Sequence, residues 1–224
     1  MKNTEQLIST LVHDVNNHLS GTQSYLELLL SGSLNEAQTN KLGLDLLALT
    51  KHTAVMLANI LNWSRISGNQ LATRPSPLAL GDVIRQALED QQSVAQNKNI
   101  TLTLAMSREV SVIADAGQLY LVLRNLLSNA IKFSHPGGSV LVSIQDASGE
   151  AVIQIRDKGI GISPEGQQEL FVPGWKTTFG TRNEKGLGIG LWLCKELLQR
   201  QNGRVWYQPL STEGSIFSLA IPLA

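Results

Sequence analysis

The sequence predicts an α+β protein, in which an antiparallel helical hairpin precedes a domain of helices and sheet strands. Three observations support this prediction: two heptad-spaced apolar stripes near the N-terminus, mixed helical and alternating patterns after residue 78, and two glycine clusters in the C-terminal third. We expect a first domain over residues 1–68, a linker over residues 69–77 and a second domain over residues 78–224.

Composition narrows the class of protein. The chain has 224 residues, of which 42% are hydrophobic and 16% charged, which is enough to bury a core. The formal net charge is +0, so we expect no binding to nucleic acid. The single cysteine, Cys194, cannot form an intrachain disulfide, and no run approaches the ~18 apolar residues of a membrane span. We therefore expect a cytoplasmic protein without membrane contact.

The two N-terminal stripes predict helices that pack against other helices. Apolar residues recur at alternating steps of four and three between Thr4 and Leu30, and again between Leu42 and Trp63, with a polar turn between them. A single hairpin leaves half of each stripe exposed, whereas two copies form a four-helix bundle. The sequence therefore predicts a homodimer through residues 4–67.

Polar residues beside the first stripe are candidates for chemistry. His13 and Asp14 lie next to stripe positions, which predicts a solvent-exposed imidazole, and an adjacent carboxylate can act as its base. Asn17 is one helical turn from His13 and can orient a water or a phosphoryl group. A plain solvated helix face is the alternative interpretation. His18, about 140° round the helix, and His52 are competing candidates.

The second domain is predicted to contain helices at residues 80–95 and 118–133, and a last helix that ends near residue 201. We expect the helix at 80–95 to be capped near Gly81 and Asp82. Strands are predicted at residues 100–104, 110–114, 140–145, 151–156, 204–207 and 215–221.

The predicted helix at 118–133 carries polar side chains on one face. Asn125 and Asn129 are four residues apart, and Lys132 follows within a turn. Amide oxygens are hard ligands for Mg²⁺, and an ammonium group neutralises terminal phosphate charge. Capping and surface solvation are the alternatives, although an unpaired amide at Asn129 would interrupt an apolar run at a cost in stability.

Two glycine clusters, at residues 157–162 and 186–191, bracket a polar segment, and the second runs into a predicted helix. Glycines let backbone N–H groups approach an anion, and a helix N-terminus favours negative charge, so a polyphosphate is the expected ligand. Asp157, at a strand end, can accept a hydrogen bond from an exocyclic amine. Simple chain reversal is the alternative role for both glycine clusters, and a turn role is the alternative for Asp157.

Taken together, these segments resemble the motifs of bacterial two-component sensor histidine kinases. Residues 13–17 are similar to the H box, 125–134 to the N box, 157–161 to the G1 box, 170–175 to the F box, 186–191 to the G2 box and 214–217 to the final glycine motif. The motifs occur in the family's order and spacing, and the resemblance spans nearly the whole chain.

The resemblance implies a dimerisation and histidine-phosphotransfer hairpin, followed by a Bergerat-type ATP-binding α/β sandwich with a mixed sheet. By that analogy His13 attacks the γ-phosphate of ATP, Asp14 is its base, and Asn17 assists hydrolysis of a phospho-aspartate on a partner. The implied activity is autophosphorylation followed by transfer to an aspartate of a response regulator receiver domain, with phosphatase activity as a further possibility.

For the second domain, the resemblance assigns Asn129 to Mg²⁺, Asn125 and Lys132 to the metal-bound phosphates, and Asp157 to adenine. The other nucleotide-binding residues that it implies are Gly159, Ile160 and Gly161 around the base, Gly186, Leu187, Gly188, Ile189, Gly190 and Leu191 at the phosphates, and Ser215. Residues 176–185 correspond to a lid that nucleotide orders.

Two departures from the family pattern change the expectations. His18 stands where the family usually has proline, so the first helix should run straighter. Twelve residues precede His13, so signal input is expected from a separate or missing sensor domain. The rival functions are a histidine phosphotransferase with an inactive nucleotide domain, and a serine kinase or ATPase with the same ATP-binding fold.

Overall fold

In the computed structural model of the chain, two units can be distinguished, Met1–Leu71 and Ala72–Ala224. The structure describes residues 2–68, 71–147, 149–173, 179–182, 184, 188–210 and 213–224, without the side chains of residues 2–11, 14, 52, 67 and 147. The change from one unit to the other falls within the stretch that the sequence predicts as a linker.

The first unit is a helical hairpin of α1, Lys2–Leu30, and α2, Glu36–Ser67. A capping box starts α2: the Asn35 side chain accepts from the Gln38 backbone N–H at 2.9 Å, and the Gln38 side chain accepts from the Asn35 N–H at 3.0 Å. Helix α1 continues without a break through His18, as expected in the absence of proline.

The predicted apolar stripes divide into a covered and an exposed part. On α2 the stripe faces α1, and its members Thr53 and Met56 are buried. On α1 three stripe residues at exact heptad spacing, which we call the exposed α1 stripe, are uncovered: Val12, Leu19 and Leu26. One neighbouring helix therefore covers only part of the apolar surface of α1.

Helix α2 has the length and composition of a membrane-spanning helix, which the sequence pattern did not indicate. Over Glu36–Ile66 it is long and apolar enough to cross a membrane, although little of that stretch is buried. It is not an uninterrupted apolar run, since Asp45 and Lys51 lie within it. The finding concerns length and composition only, and helices of soluble proteins meet the same criterion.

The second unit is a two-layer α/β sandwich. Its helices are α3, Leu80–Asn97, α4, Ala116–Phe133, the short α5, Pro164–Gln167, and α6, Gly190–Gln199. Its strands are β1, Ser76–Ala79, β2, Thr101–Ala105, β3, Ser111–Ala114, β4, Ser139–Ala147, β5, Glu150–Asp157, β6, Arg204–Pro209, and β7, Ser215–Pro222.

Five strands form the main sheet in the order β2-β4-β5-β7-β6. Strands β2 and β4 are parallel and the other neighbours are antiparallel, so the sheet is mixed, as the resemblance implied. On β5 every second residue is buried: Ala151, Ile153, Ile155 and Asp157. The first three of these side chains belong to the core beneath the helices, and the fourth brings a carboxyl group into the same layer.

Two predictions for the second unit need correction. Residues 76–77 belong to β1, which pairs antiparallel with β3, and not to a linker; Pro77 is tolerated because this two-stranded sheet consists only of edge strands. Helix α3 begins at Leu80, and its N-cap residue Ala79 makes no side-chain cap. The Gly81 N–H instead donates to the carboxylate of Glu109 at 2.8 Å, so this cap comes from outside the helix.

Candidate functional site

Asp157, the last residue of β5, is the most unusual group in the second unit. Its neighbours in the sheet are Val140 on β4 and Ser215 on β7, and it is only 2% exposed. The backbone N–H groups of Gly159 and Ser215 lie near the carboxyl group and favour its charged form, but its Oδ1 has no hydrogen-bond partner among the described residues. Burial raises the pKa of Asp157 to about 7, against the effect of these two donors.

The glycine turn after Asp157 is fastened to the end of α4. Gly159 forms an isolated bridge with Ser134, and the Ile160 N–H donates to the Phe133 carbonyl at 3.2 Å. A Cβ at Gly159 would collide with that same carbonyl, so only glycine fits there. Gly161 has a positive φ, and the side chain of Ile160 is exposed. The turn is therefore held close against the helix that carries the predicted phosphate ligands.

Helix α4 brings the predicted polar face together with the start of α6. Asn125, Asn129 and Lys132 are all half-buried. The Asn125 amide donates to the Leu121 carbonyl at 3.1 Å, and its Oδ1 lies 3.3 Å from where a Cβ of Gly190 would stand. The first residue of α6 thus packs against Asn125, as a site that joins the N box and the G2 box requires.

Lys132 is a partly desolvated cation. The pKa of Lys132 is lowered to about 8, mainly by burial; Glu184 opposes this shift and Lys98 adds to it. Its Nζ lies 4.7 Å from the centre of the Phe133 ring, which is a cation–π contact. The charged form is therefore less stable here than in water, and a nearby anion would stabilise it.

Sequence reasoning missed two residues beside Lys132, namely Lys98 and Glu184. They form an ion pair of 2.7 Å in which the lysine side chain is almost completely buried. The two residues are far apart in the chain, and neither belongs to a periodic or glycine-rich pattern. The only sequence signal was that Glu184 falls in the segment that resembles a lid.

The structure describes residues 188–191 of the second glycine cluster. Gly186 and Leu187 lie outside the described residues, as do most of residues 174–187. Gly188 has a positive φ, Ile189 is buried, and Gly190 and Leu191 begin α6. No side chain caps the N-terminus of α6 among the described residues, so its first N–H groups are available to an anion.

In the first unit, the structure separates the competing histidines. His13 is exposed, and its Nδ1 lies 3.1 Å from the amide nitrogen of Asn17, one turn away as predicted. His18 is half-buried, and its Nδ1 lies 3.4 Å from the Thr53 hydroxyl of α2. The side chains of Asp14 and His52 are not among those that the structure describes. Of the two described histidines on α1, His13 is exposed and His18 is half-buried.

Two open clefts in the second unit lie outside the polar face of α4, although the first includes Lys158 of the turn after Asp157. One is lined by His135, Arg156, Lys158 and Leu210, and the other by α3 and β2. Because side chains alternate along a strand, Arg156 points to the opposite face of the sheet from Asp157. No cluster of three or more His, Cys, Asp or Glu side chains occurs within the described ranges.

Known proteins that are similar to this chain include histidine kinases and related ATPases. Residues 114–224 match the family of histidine kinase-, DNA gyrase B- and HSP90-like ATPases. The adaptive-response sensory kinase SasA of Synechocystis sp. is 29% identical, covering 98% of this chain and 59% of that protein. The circadian input-output histidine kinase CikA of Synechococcus elongatus is 30% identical, covering 97% of this chain and 30% of that protein.

Solved structures share the fold. The Acinetobacter baumannii histidine kinase AdeS has a TM-score of 0.72 at 21% identity, covering 94% of this chain and 98% of that one. Histidine kinase ThkA, solved in complex with response regulator protein TrrA, has a TM-score of 0.71 at 18% identity, covering 98% of this chain and 61% of that one. The chain spans about three fifths or less of the curated relatives SasA and CikA.

Asp157 predicts how the free energy of unfolding depends on pH. Its pKa is about 7 in the folded state and 3.8 when exposed, so the carboxyl group stabilises the fold below about pH 4, and this stabilisation is lost as the pH rises through 7. Asp157→Asn changes the free energy of unfolding at each pH. We expect this change to be more favourable near pH 8 than near pH 4, by roughly 1–3 kcal/mol.

Denaturant unfolding at both pH values measures this difference. Glu213→Gln is the control, because that carboxylate is highly exposed. A change in stability for Asp157→Asn that is the same at both pH values would contradict the assignment of a costly buried carboxylate.

Proposed function

The chain belongs to the family of histidine kinase-, DNA gyrase B- and HSP90-like ATPases, and we propose that it is the catalytic core of a sensor histidine kinase. In this proposal residues 78–224 bind ATP with Mg²⁺, and the γ-phosphoryl group moves to His13 and then to an aspartate of a response regulator receiver domain. The observation that carries it is the buried Asp157 carboxylate with an unpaired oxygen beside a glycine turn.

Adenine recognition is assigned to Asp157 and the turn after it. A buried acceptor without a partner costs stability unless a ligand supplies a donor, and the exocyclic amine of adenine is such a donor. Gly159 keeps the backbone close, Ile160 and Gly161 border the base, and the Ser215 N–H holds the carboxyl group. Each of these roles fits a planar base that enters edge-on beside β5.

Phosphate and metal binding are assigned to α4 and the start of α6. Asn129 is the proposed Mg²⁺ ligand, and a bound Mg²⁺ would neutralise charge on the phosphates. The amide fits this role, since it is half-buried and forms no hydrogen bond within the described part of the chain. Asn125 and Lys132 are proposed to contact the phosphates. The remaining proposed contacts come from the glycine-rich segment: Gly186, Leu187, Gly188, Ile189, Gly190 and Leu191.

Phosphoryl transfer is assigned to the exposed face of α1. An imidazole nitrogen of His13 attacks the γ-phosphorus, the bond to the bridging oxygen breaks, ADP leaves, and the imidazole proton passes to Asp14. A carboxylate of the receiver domain then takes the phosphoryl group from His13. Asn17, 3.1 Å from the imidazole, is proposed to orient a water when the phospho-aspartate is hydrolysed.

A receiver domain is the proposed partner, and a homodimer is the proposed assembly. ThkA was solved in complex with a response regulator, which supports a comparable partner for this chain. The exposed α1 stripe supports a dimeric four-helix bundle through residues 4–67, because a second hairpin would cover it. We also propose a cytoplasmic location without membrane contact.

Phosphorylation of His13 is tested with γ-labelled ATP and Mg²⁺. We expect the wild-type protein to acquire an acid-labile, base-stable label, as a phosphoramidate does, and His13→Gln to lose it while nucleotide binding persists. His135→Gln, which changes an exposed histidine of the second unit, is the control and should keep the label. Label retained in His13→Gln would move the assignment to His18 or His52, and an acid-stable label would indicate a serine kinase.

The metal role of Asn129 is tested by nucleotide titration with and without Mg²⁺. Asn129→Ala should lower ATP affinity in Mg²⁺ by roughly tenfold and remove most of the difference that Mg²⁺ makes, since an amide ligand is lost. Ser128→Ala is the matched control, because it changes an exposed neighbour on the same helix. Unchanged Mg²⁺ dependence in Asn129→Ala would reject the assignment.

The dimer is tested with two leucines of nearly equal exposure. Leu26 is 45% exposed and belongs to the exposed α1 stripe, whereas Leu28 is 44% exposed and lies on another side of α1. A charge in a bundle seam is strongly unfavourable, so Leu26→Glu should increase the dimer dissociation constant by at least about tenfold. Leu28→Glu should leave it nearly unchanged. Sedimentation equilibrium measures both, and equal effects would argue against this interface.

A further inference from the structure

Lys98 is a buried cation at the end of α3. It is only 3% exposed, and its Nζ donates to three oxygens: the Ile131 carbonyl at 3.0 Å, the Lys132 carbonyl at 2.6 Å and Oε1 of Glu184 at 2.7 Å. An ammonium group has three N–H donors, so all of them are used. Two of the acceptors are carbonyls in the last turn of α4, the helix that carries Asn125, Asn129 and Lys132.

Glu184 organises a short turn with its remaining acceptors. Its Oε2 accepts from the Arg182 N–H at 2.7 Å, and its backbone carbonyl accepts from the Gly180 N–H at 2.9 Å. We call Gly180, Thr181, Arg182 and Glu184 the latch turn. Its shape therefore depends on the same carboxylate that pairs with Lys98.

The latch turn is attached to the ends of α3 and α4. The Thr181 N–H donates to the Lys132 carbonyl at 3.2 Å, and the Thr181 hydroxyl donates to the Ser134 carbonyl at 2.7 Å. The Arg182 guanidinium donates to the Asn97 carbonyl at 2.6 Å. These contacts attach the turn to the two helix ends through four polar groups, with the Lys98–Glu184 pair as the buried one.

The latch turn touches the side chain of Lys132 directly. A Cβ at Gly180 would come within 2.6 Å of Lys132 Cγ and 2.8 Å of the Lys132 carbonyl oxygen, so the glycine backbone lies on the lysine stem. The position of the turn thus limits the directions in which the Lys132 ammonium can extend. A shift of the turn would change the reach of that ammonium without touching the adenine end of the site.

The ion pair is energetically suited to hold this arrangement. A buried charge that loses its partner is strongly destabilising, whereas a pair with all hydrogen bonds satisfied is tolerated. The Glu184 side chain is 35% exposed and the Lys98 side chain 4%, so removal of the glutamate leaves the lysine charge buried with only carbonyl acceptors. The pair therefore favours the docked turn over an undocked one.

We propose that the Lys98–Glu184 ion pair is a latch that holds the latch turn against Lys132 and so positions the Lys132 ammonium for the terminal phosphate of a nucleoside triphosphate. Both residues are positioning residues, since neither is proposed to touch the nucleotide. The inference rests on the proposed function, because the phosphate contact of Lys132 is itself proposed. It implies that the pair increases the affinity for ATP more than the affinity for ADP.

The test measures dissociation constants for ATP and ADP in Mg²⁺ by calorimetry. The variants are Glu184→Gln, Lys98→Met and the double variant, with Glu150→Gln as the control, because Glu150 begins β5, at the opposite end of that strand from Asp157, and pairs with Arg204. Glu184→Gln should weaken ATP binding by roughly tenfold and ADP binding by less than about threefold, since Asp157 still holds adenine.

A double-mutant cycle distinguishes energetic coupling between Lys98 and Glu184 from two independent losses of ATP affinity. Because the double variant leaves no unpaired buried charge, its ATP affinity should lie above the product of the two single effects by at least about threefold. Thr181→Val removes the hydroxyl contact with Ser134 without altering a charge, and it should lower the ATP/ADP affinity ratio in the same direction. It also serves if the charge variants do not fold, as judged by thermal unfolding.

Three results decide between the explanations. A lower ATP/ADP affinity ratio in Glu184→Gln and Thr181→Val, with Glu150→Gln unchanged, supports the latch. Equal loss of both nucleotides, or an unchanged ratio, overturns the latch and leaves the proposed function intact. Failure of the wild-type protein to bind either nucleotide overturns the proposed function and the latch with it.

Discussion

The second unit depends on one constraint, the burial of the Asp157 carboxyl group at the end of a central strand. The register of β5 with β7 places the Ser215 backbone near this group, and the tight turn places that of Gly159 near it, yet Oδ1 has no hydrogen-bond partner among the described residues. Such a group destabilises the folded state. The sandwich core tolerates the cost, and an unpaired acceptor in a dry layer discriminates strongly between ligands that donate and ligands that do not.

The last turn of α4 lies between the turn that follows Asp157 and the proposed phosphate contacts. Every α-helix leaves its final carbonyls without partners inside the helix. Here the Ile160 N–H donates to the Phe133 carbonyl, and the Thr181 hydroxyl donates to the Ser134 carbonyl. The Lys98 ammonium donates to the carbonyls of Ile131 and Lys132. The turn after Asp157 and the latch turn are thus both fixed to one helix end, which would connect the proposed adenine and phosphate contacts through α4.

Local patterns account for what could be predicted from the sequence. The spacing of Asn125 and Asn129, and of His13 and Asn17, lies within one helix, so helical periodicity alone places each pair on one face. Strand β1 was missed because Pro77 suggests a linker, while its strand character comes only from pairing with β3. The Lys98–Glu184 pair joins residues 86 positions apart, and no local pattern encodes such a contact.

Asp157 and Lys132 are both desolvated by burial, and their charged forms have opposite signs. Burial is the main cause of both pKa shifts, up to about 7 for the acid and down to about 8 for the lysine. Each charged form therefore lacks solvation that a ligand can supply, the acid through a donor and the lysine through an anion. An adenine nucleotide offers an amine at one end and phosphates at the other. Its binding would thus relieve both desolvation penalties together, which neither adenosine nor free phosphate could do alone.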